Sequence, residues 1–255
     1  MSNDPPLPLI TSRFVAGGAT RYHYRLAGDP GDPVTPLVLV HGLGMSGAYW
    51  RRLQPLLAAA RPVYAPDLPG FGHSSRPPAP LDVPALGDWL DAVGLPMAHL
   101  LGHSMGGPVV AAFAAAHPAR VGRLVLVGST AGVRGERAPR QALGLLRDAA
   151  RESPSLLPVA LAAYRRAGPR RIVATEALVD GDDTVATVAS LGMPVLVARG
   201  ERDAVVSAAE TGLLVDAAPG AAFAGIAGGA HAVHWGRAVE LARAVEAFLA
   251  ADESD

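Results

Sequence analysis

Gly102-His103-Ser104-Met105-Gly106 sets a serine between two glycines at the junction of two unlike segments. Upstream, Met97 to Leu101 reads as a short apolar strand, and downstream Met105 to Ala116 has the composition of a helix. G-x-S-x-G at a strand-to-helix turn is the nucleophile-elbow pattern, which holds a serine oxygen above the edge of a sheet. The chemistry it supports is nucleophilic attack by that oxygen. Such attack needs a base to take the serine proton and a third group to orient the base. Gly102 and Gly106 must be small, because a side chain at either would strike the backbone crossing it in so tight a turn.

The elements that must position such a serine are legible as alternating segments. Thr11 to Ala16 and Arg21 to Leu26 read as two strands joined by a turn at Gly17-Gly18. Leu37 to Val40 is a continuous apolar run, expected for a strand buried on both faces; Arg61 to Ala65, Leu124 to Val127 and Pro194 to Ala198 repeat it. Ala221 to Ile226 is a weaker strand. Helices are expected over Ser46 to Ala60 with Ser46 as N-cap, Leu81 to Val93, Ser207 to Ala217 and Trp235 to Ala250. The alternation predicts an α/β fold, a doubly wound, mostly parallel sheet with helices on both faces. Between Val133 and Leu191 the rhythm breaks into three expected helices, Arg140 to Glu152, Ser155 to Ala167 and Pro169 to Val179. That is too long for a loop, so residues 133–191 are expected to form a small helical lid inserted between two central strands of a core made by residues 1–132 and 192–255.

Composition narrows the chemistry. Half of the 255 residues are hydrophobic and 18% are charged, as in an ordered globular protein. The net charge of −1 gives no reason to expect nucleic-acid or membrane-surface binding. With no cysteine, disulfides, thiolate zinc sites and cysteine nucleophiles are excluded. All 22 basic residues are arginine, which excludes Schiff-base and Ser-Lys mechanisms. The first ten residues lack the basic and apolar regions of a signal peptide, and no run reaches the roughly 18 apolar residues of a membrane span; a cytoplasmic protein is expected.

Parallel sheets bind ligands at the carboxyl ends of their strands. There the sequence carries His41-Gly42-Leu43-Gly44, then Asp67-Leu68-Pro69-Gly70-Phe71-Gly72-His73-Ser74, the elbow, Arg199-Gly200-Glu201-Arg202-Asp203, and Gly228-Gly229-Ala230-His231-Ala232-Val233-His234. In their motifs and order these loops resemble the α/β-hydrolase superfamily along almost the whole chain, and most of all its capped, serine-nucleophile esterases, C–C hydrolases and perhydrolases. The aspartate-nucleophile dehalogenases and epoxide hydrolases of that fold are disfavoured by serine at the elbow.

The resemblance implies a catalytic set of Ser104 as nucleophile, His231 as base and then acid, and Asp203 orienting the imidazole. The backbone N–H groups of Leu43 and Met105 form the oxyanion hole, and no cofactor or metal is implied. Asp180, Asp182 and Asp183 are rival acids but fall in the lid; Gly128-Ser129-Thr130, at another strand end, has no carboxylate. His234 is the rival base, adjoining the closing helix where it packs or caps. His41, His103 and Asp67 are expected to brace loops. Arg134 to Arg171 contain nine arginines against Glu136, Asp148 and Glu152, expected as a solvated face, with an arginine rim for an anionic substrate group as the sharper reading. The activity implied is hydrolysis of a small or medium acyl substrate, an ester or else a thioester or lactone, with no nucleic-acid or membrane partner. C–C bond hydrolysis of a β-diketone or dienoate, cyclisation or acyl transfer, and a non-catalytic receptor are the alternatives.

Overall fold

Leu37 and Leu39 face one side of a sheet, Val38 and Val40 face the other, and all four are fully buried. The same alternation divides Leu124 and Leu126 from Val125 and Val127. Burying both faces of a strand is what the uninterrupted apolar runs require. The computed structural model describes residues 6–77, 84–132, 137–179 and 183–252. Its strands are β1 (Thr11–Gly17), β2 (Thr20–Ala27), β3 (Leu37–Val40), β4 (Val63–Pro66), β5 (Ala98–His103), β6 (Val121–Val127), β7 (Val195–Gly200) and β8 (Ala222–Ile226). They form one sheet in the order β1-β2-β4-β3-β5-β6-β7-β8. β2 is antiparallel to β1 and β4, and all other neighbours are parallel.

The helices are α1 (Gln54–Leu57), α2 (Pro84–Ala92), α3 (Gly106–Ala116), α4 (Arg137–Ala149), α5 (Leu157–Ala167), α6 (Pro169–Val179), α7 (Thr184–Ala189), α8 (Ala208–Ala217), α9 (Val233–Gly236) and α10 (Ala238–Leu249). Trp89 of α2, Phe113 of α3 and Leu214 of α8 fill the core on one face of the sheet. Leu57 of α1, Trp235 of α9 and Leu241 and Val245 of α10 fill it on the other. Fully burying each such side chain contributes about 1.5–3 kcal/mol, so the two layers hold the sheet as a rigid platform. From β3 the chain moves to β4 on one side and then to β5 on the other. Such a reversal opens a crevice at the carboxyl ends of the two strands, where the loops after Val40 and His103 lie.

Several elements differ from the sequence expectation. The helix expected over Ser46 to Ala60 is a 3₁₀ turn (Gly47–Trp50) followed by the single turn of α1. Pro55 accounts for the break, since its ring has no N–H to donate and clashes with the carbonyl four residues back. Ser46 makes no capping hydrogen bond. The closing helix is divided into α9 and α10 at Arg237, whose φ of −134° and ψ of 46° are not helical, directly after Gly236. The segment between β6 and β7 has the three expected helices and a fourth, α7, capped by Asp183, whose Oδ1 accepts from the Ala186 N–H at 3.0 Å. Of the expected helix over Leu81 to Val93, residues 81–83 lie outside the described residues, as do Arg134, Glu136, Asp180 and Asp182.

Candidate active site

The elbow is strained in the way its sequence requires. Ser104 has φ of 54°, and it is the one non-glycine residue in the left-handed region among the described residues. A Cβ on Gly102 would run into the Gly106 carbonyl, and a Cβ on Gly106 into the carbonyls of Val40 and His41. The strain is held by a hydrogen bond from the Ser104 N–H to Val127 O (3.0 Å) and one from the Gly107 N–H to Ser104 O (2.9 Å).

Val127 is followed by Gly128, and this glycine joins the elbow to the other two site residues. A Cβ there would meet Asp203 Oδ2 at 3.2 Å and His231 Nδ1 at 3.3 Å. His231 Nδ1–H donates to Asp203 Oδ2 at 2.9 Å, and both residues are buried. The other Asp203 oxygen accepts from the Val205 and Val206 N–H groups at 2.8 and 2.9 Å. With Nδ1 carrying the proton, Nε2 of His231 is the basic nitrogen. Burial opposes charge on this ring, but the Asp203 carboxylate outweighs it and holds His231 above the ordinary histidine range. Burial likewise opposes the Asp203 carboxylate, yet His231 and the two amides hold its pKa below the usual value. No hydrogen bond joins Ser104 Oγ to His231 among the described residues. Such contacts are often long in free enzymes and tighten around a substrate.

The loop after β3 turns beside the elbow. A Cβ on Gly42 would lie 3.3 Å from Ser104 Cβ. The N–H groups of Leu43 and Met105 are engaged by no other described residue, so two donors are free next to the serine.

The remaining candidates take other places. His41 donates from Nδ1 to Gly42 O (2.9 Å) and accepts at Nε2 from the Leu68 N–H (3.1 Å), tying the β3 and β4 loops together. Burial keeps it neutral, as this bonding requires. Asp67 accepts from the Gly47 N–H (2.6 Å), the His73 N–H (2.7 Å) and His23 Nδ1 (2.7 Å). His103 donates from Nε2 to His231 O (3.0 Å), and burial, aided by the His231 charge, lowers its pKa to about 3. His234 is fully buried with its ring 3.9 Å from that of Tyr49, and neither ring nitrogen has a hydrogen-bond partner among the described residues. It packs, and Asp203 is paired with His231.

Two acidic residues were read in the sequence only as counter-charges to arginines, yet they reach the site. Asp148 is buried, and its oxygens accept from the Ala204 N–H (3.1 Å) and the His231 N–H (2.9 Å). Glu152 Oε1 accepts from the Ala232 N–H (2.5 Å). Their separation of four residues was the available signal, but nothing local marks such a pair as buried. On the β3 side, Tyr164 of α5 lies against the loop, for a Cβ on Gly44 would enter its ring. Among the described residues no group of three His, Cys, Asp or Glu side chains is set to hold a metal.

Fold and loop order define a class, and comparison with known proteins agrees: the chain has the α/β-hydrolase fold. A family profile described as "alpha/beta hydrolase fold" matches residues 35–157. The 2-hydroxymuconate semialdehyde hydrolase of Pseudomonas sp. (strain CF600) is 44% identical over 134 residues, 48% of this chain and 44% of that one. The human 1-acylglycerol-3-phosphate O-acyltransferase ABHD5 is 44% identical over 101 residues, 36% of this chain and 29% of its own. The matches thus span less than half the length of either relative. The 2-hydroxy-6-oxo-6-phenylhexa-2,4-dienoate hydrolase of Rhodococcus sp. strain RHA1 superposes with a TM-score of 0.79 over 96% of this chain and 100% of that one, at 23% identity. No helix among the described residues is long and apolar enough to cross a membrane.

Proposed function

We propose that the protein is a serine hydrolase that cleaves a small or medium acyl substrate through a Ser104–His231–Asp203 triad and an acyl-enzyme. The observation that carries the reading is the Asp203–His231 pair, 2.9 Å apart and buried, packed at Gly128 beside the strained Ser104. His231 Nε2 takes the Ser104 proton as Oγ bonds to the substrate carbonyl carbon. The N–H groups of Leu43 and Met105 receive the oxyanion, and losing one such donor typically costs about 2.7–4 kcal/mol in the transition state. His231 then gives the proton to the leaving group, and water, deprotonated by the same nitrogen, releases the acid. Residues 133–191 act as the lid that shapes the acyl pocket, and Tyr164 against Gly44 is its contact with the oxyanion loop.

Carboxylic esters, and with the same machinery thioesters or lactones, are the leading substrate class. A second reading is favoured by the 44% identity to a semialdehyde hydrolase over 134 residues: C–C bond hydrolysis, in which the tetrahedral intermediate expels a stabilised carbanion in place of an alkoxide. A panel of p-nitrophenyl butyrate, an acyl lactone and a 2-hydroxy-6-oxodienoate separates these by relative kcat/KM. The class as a whole is tested with a fluorophosphonate probe. Wild type labels and Ser104→Ala does not; a folded wild type that never labels and cleaves none of the three substrates overturns it.

A further inference from the structure

The turn that closes α4 grips both loops behind the candidate triad. Asp148 Oδ1 accepts from the Ala204 N–H, next to Asp203, and Asp148 Oδ2 accepts from the N–H of His231 itself. One turn on, Glu152 Oε1 accepts from the Ala232 N–H (2.5 Å) and Arg151 donates to Arg202 O (3.1 Å). The N–H groups of Arg151 and Glu152 fold back onto Asp148 O at 2.7 and 3.0 Å, so the three side chains issue from one tight turn. One turn earlier, Gly144 lets α4 seat directly on the same loop, for a Cβ there would lie 2.7 Å from Ala204 O and 3.0 Å from Val205 Cα. These contacts hold backbone on either side of the acid–base pair, yet none of them touches the reacting atoms.

We infer that Asp148 and Glu152 form a positioning clasp that fixes the register of Asp203 and His231 through the backbone on either side of them. The inference rests on the hydrolase reading for its catalytic consequence. Asp148 Oδ2 and Glu152 Oε1 accept from the consecutive amides of His231 and Ala232, so the two carboxyl groups adjoin, and adjoining carboxyl groups cannot both ionise without repulsion. Burial first, and then Asp148, push Glu152 well above the usual carboxylate range, to about 8. The other titratable groups facing it are His231 with its Asp203 partner and Tyr49 from the 3₁₀ turn after β3, while Arg151 on its own turn is directed to Arg202 O. Burial and the nearby carboxylates keep Tyr49 un-ionised. Glu152 is therefore the group in the clasp that changes charge on the alkaline side. Its ionisation sets two like charges against each other under the His231 backbone and loosens the clasp.

The test measures kcat and KM for p-nitrophenyl butyrate across the pH range for wild type, Glu152→Gln, Glu152→Ala and Asp148→Asn. Glutamine imitates the protonated acid, since it accepts from Ala232 with its oxygen and donates to Asp148 with its nitrogen. Wild-type kcat is expected to fall on the alkaline side through an apparent pKa of about 8. Glu152→Gln keeps the neutral-pH rate and loses that alkaline limb. Glu152→Ala and Asp148→Asn lower kcat by up to about 10²-fold with KM little changed, the cost of a small misplacement of catalytic groups. Amide hydrogen exchange over residues 202–206 and 229–234 gives a second readout, expected to quicken in Asp148→Asn and, in wild type alone, at alkaline pH beyond the intrinsic rise. An alkaline limb shared by wild type and Glu152→Gln, or unchanged protection in Asp148→Asn, overturns the clasp. A wild type that neither hydrolyses nor labels at Ser104 overturns the hydrolase reading instead, and hydrogen exchange then decides the clasp by itself.

Discussion

In the proposed triad, Asp203 and His231 set the pH behaviour of the site at the scale of single residues. As a base, His231 works only when neutral, so kcat/KM should rise with pH through its titration, at a value above that of an ordinary histidine because Asp203 more than offsets burial. Replacing Asp203 by Asn removes the largest opposing charge and lets burial dominate. The acid limb should then move to lower pH, while kcat falls by about 10⁴-fold as the ring loses its tautomer. His231→Ala should abolish turnover and labelling, whereas His234→Ala, which removes packing against Tyr49 and Trp50, should lower the unfolding temperature and leave labelling intact. The reverse pattern would assign the base to His234. The pair was legible because Asp203 and His231 fall in strand-end loops that follow Gly200 and Gly228-Gly229. Asp148 and Glu152 were not, because what a carboxylate meets in the fold is decided by distant loops, here backbone amides 56 and 83 residues from Asp148 and 80 from Glu152.

At the scale of elements, the strands were the most readable part because a strand buried on both faces admits only apolar residues. Helix ends were less so. Pro55 and Gly236 were visible, yet the apolar periodicity running across them predicted continuous helices where backbone sterics impose breaks. The segment between β6 and β7 was legible as helical but not in its function, since its surface chemistry lacks a periodic signature. Arg165 and Arg166 end α5 in solvent, and a cavity of about 450 Å³ lined by Arg76, Arg170 and Arg171 opens where α5 meets α6. If the arginines that end α5 select anionic substrates, replacing Arg165 and Arg166 by Gln should raise KM for a dicarboxylate half-ester by about 2- to 5-fold, the worth of exposed charge pairs, and leave a neutral ester unaffected. Equal changes for both substrates would identify a solvated face.

At the scale of the whole molecule, the groups that serve the site also tie stability to pH, and the sign differs between them. Asp67 and Asp203 have folded-state pKa values below their ordinary ones, despite burial, because hydrogen bonds and histidines hold their charge. Their contribution is present above the unfolded carboxylate value and is lost as acid protonates them. Glu152 runs the other way. Its folded value of about 8 lies above the 4.5 of an unperturbed glutamate, so between these limits the folded chain binds more protons than the unfolded chain. Stability from this group is therefore full below the unfolded value and declines as pH rises through the folded one. Glu152→Gln cannot titrate, and the difference in unfolding free energy between wild type and this variant isolates the contribution. Denaturant unfolding at a series of pH values should show wild type losing ground steadily to Glu152→Gln from mildly acidic to alkaline conditions, with the gap levelling above about 8. A gap that is constant with pH would mean that Glu152 is ionised in the folded protein across that range, and that the turn after α4 holds the two loops whatever the charge on its carboxyl groups.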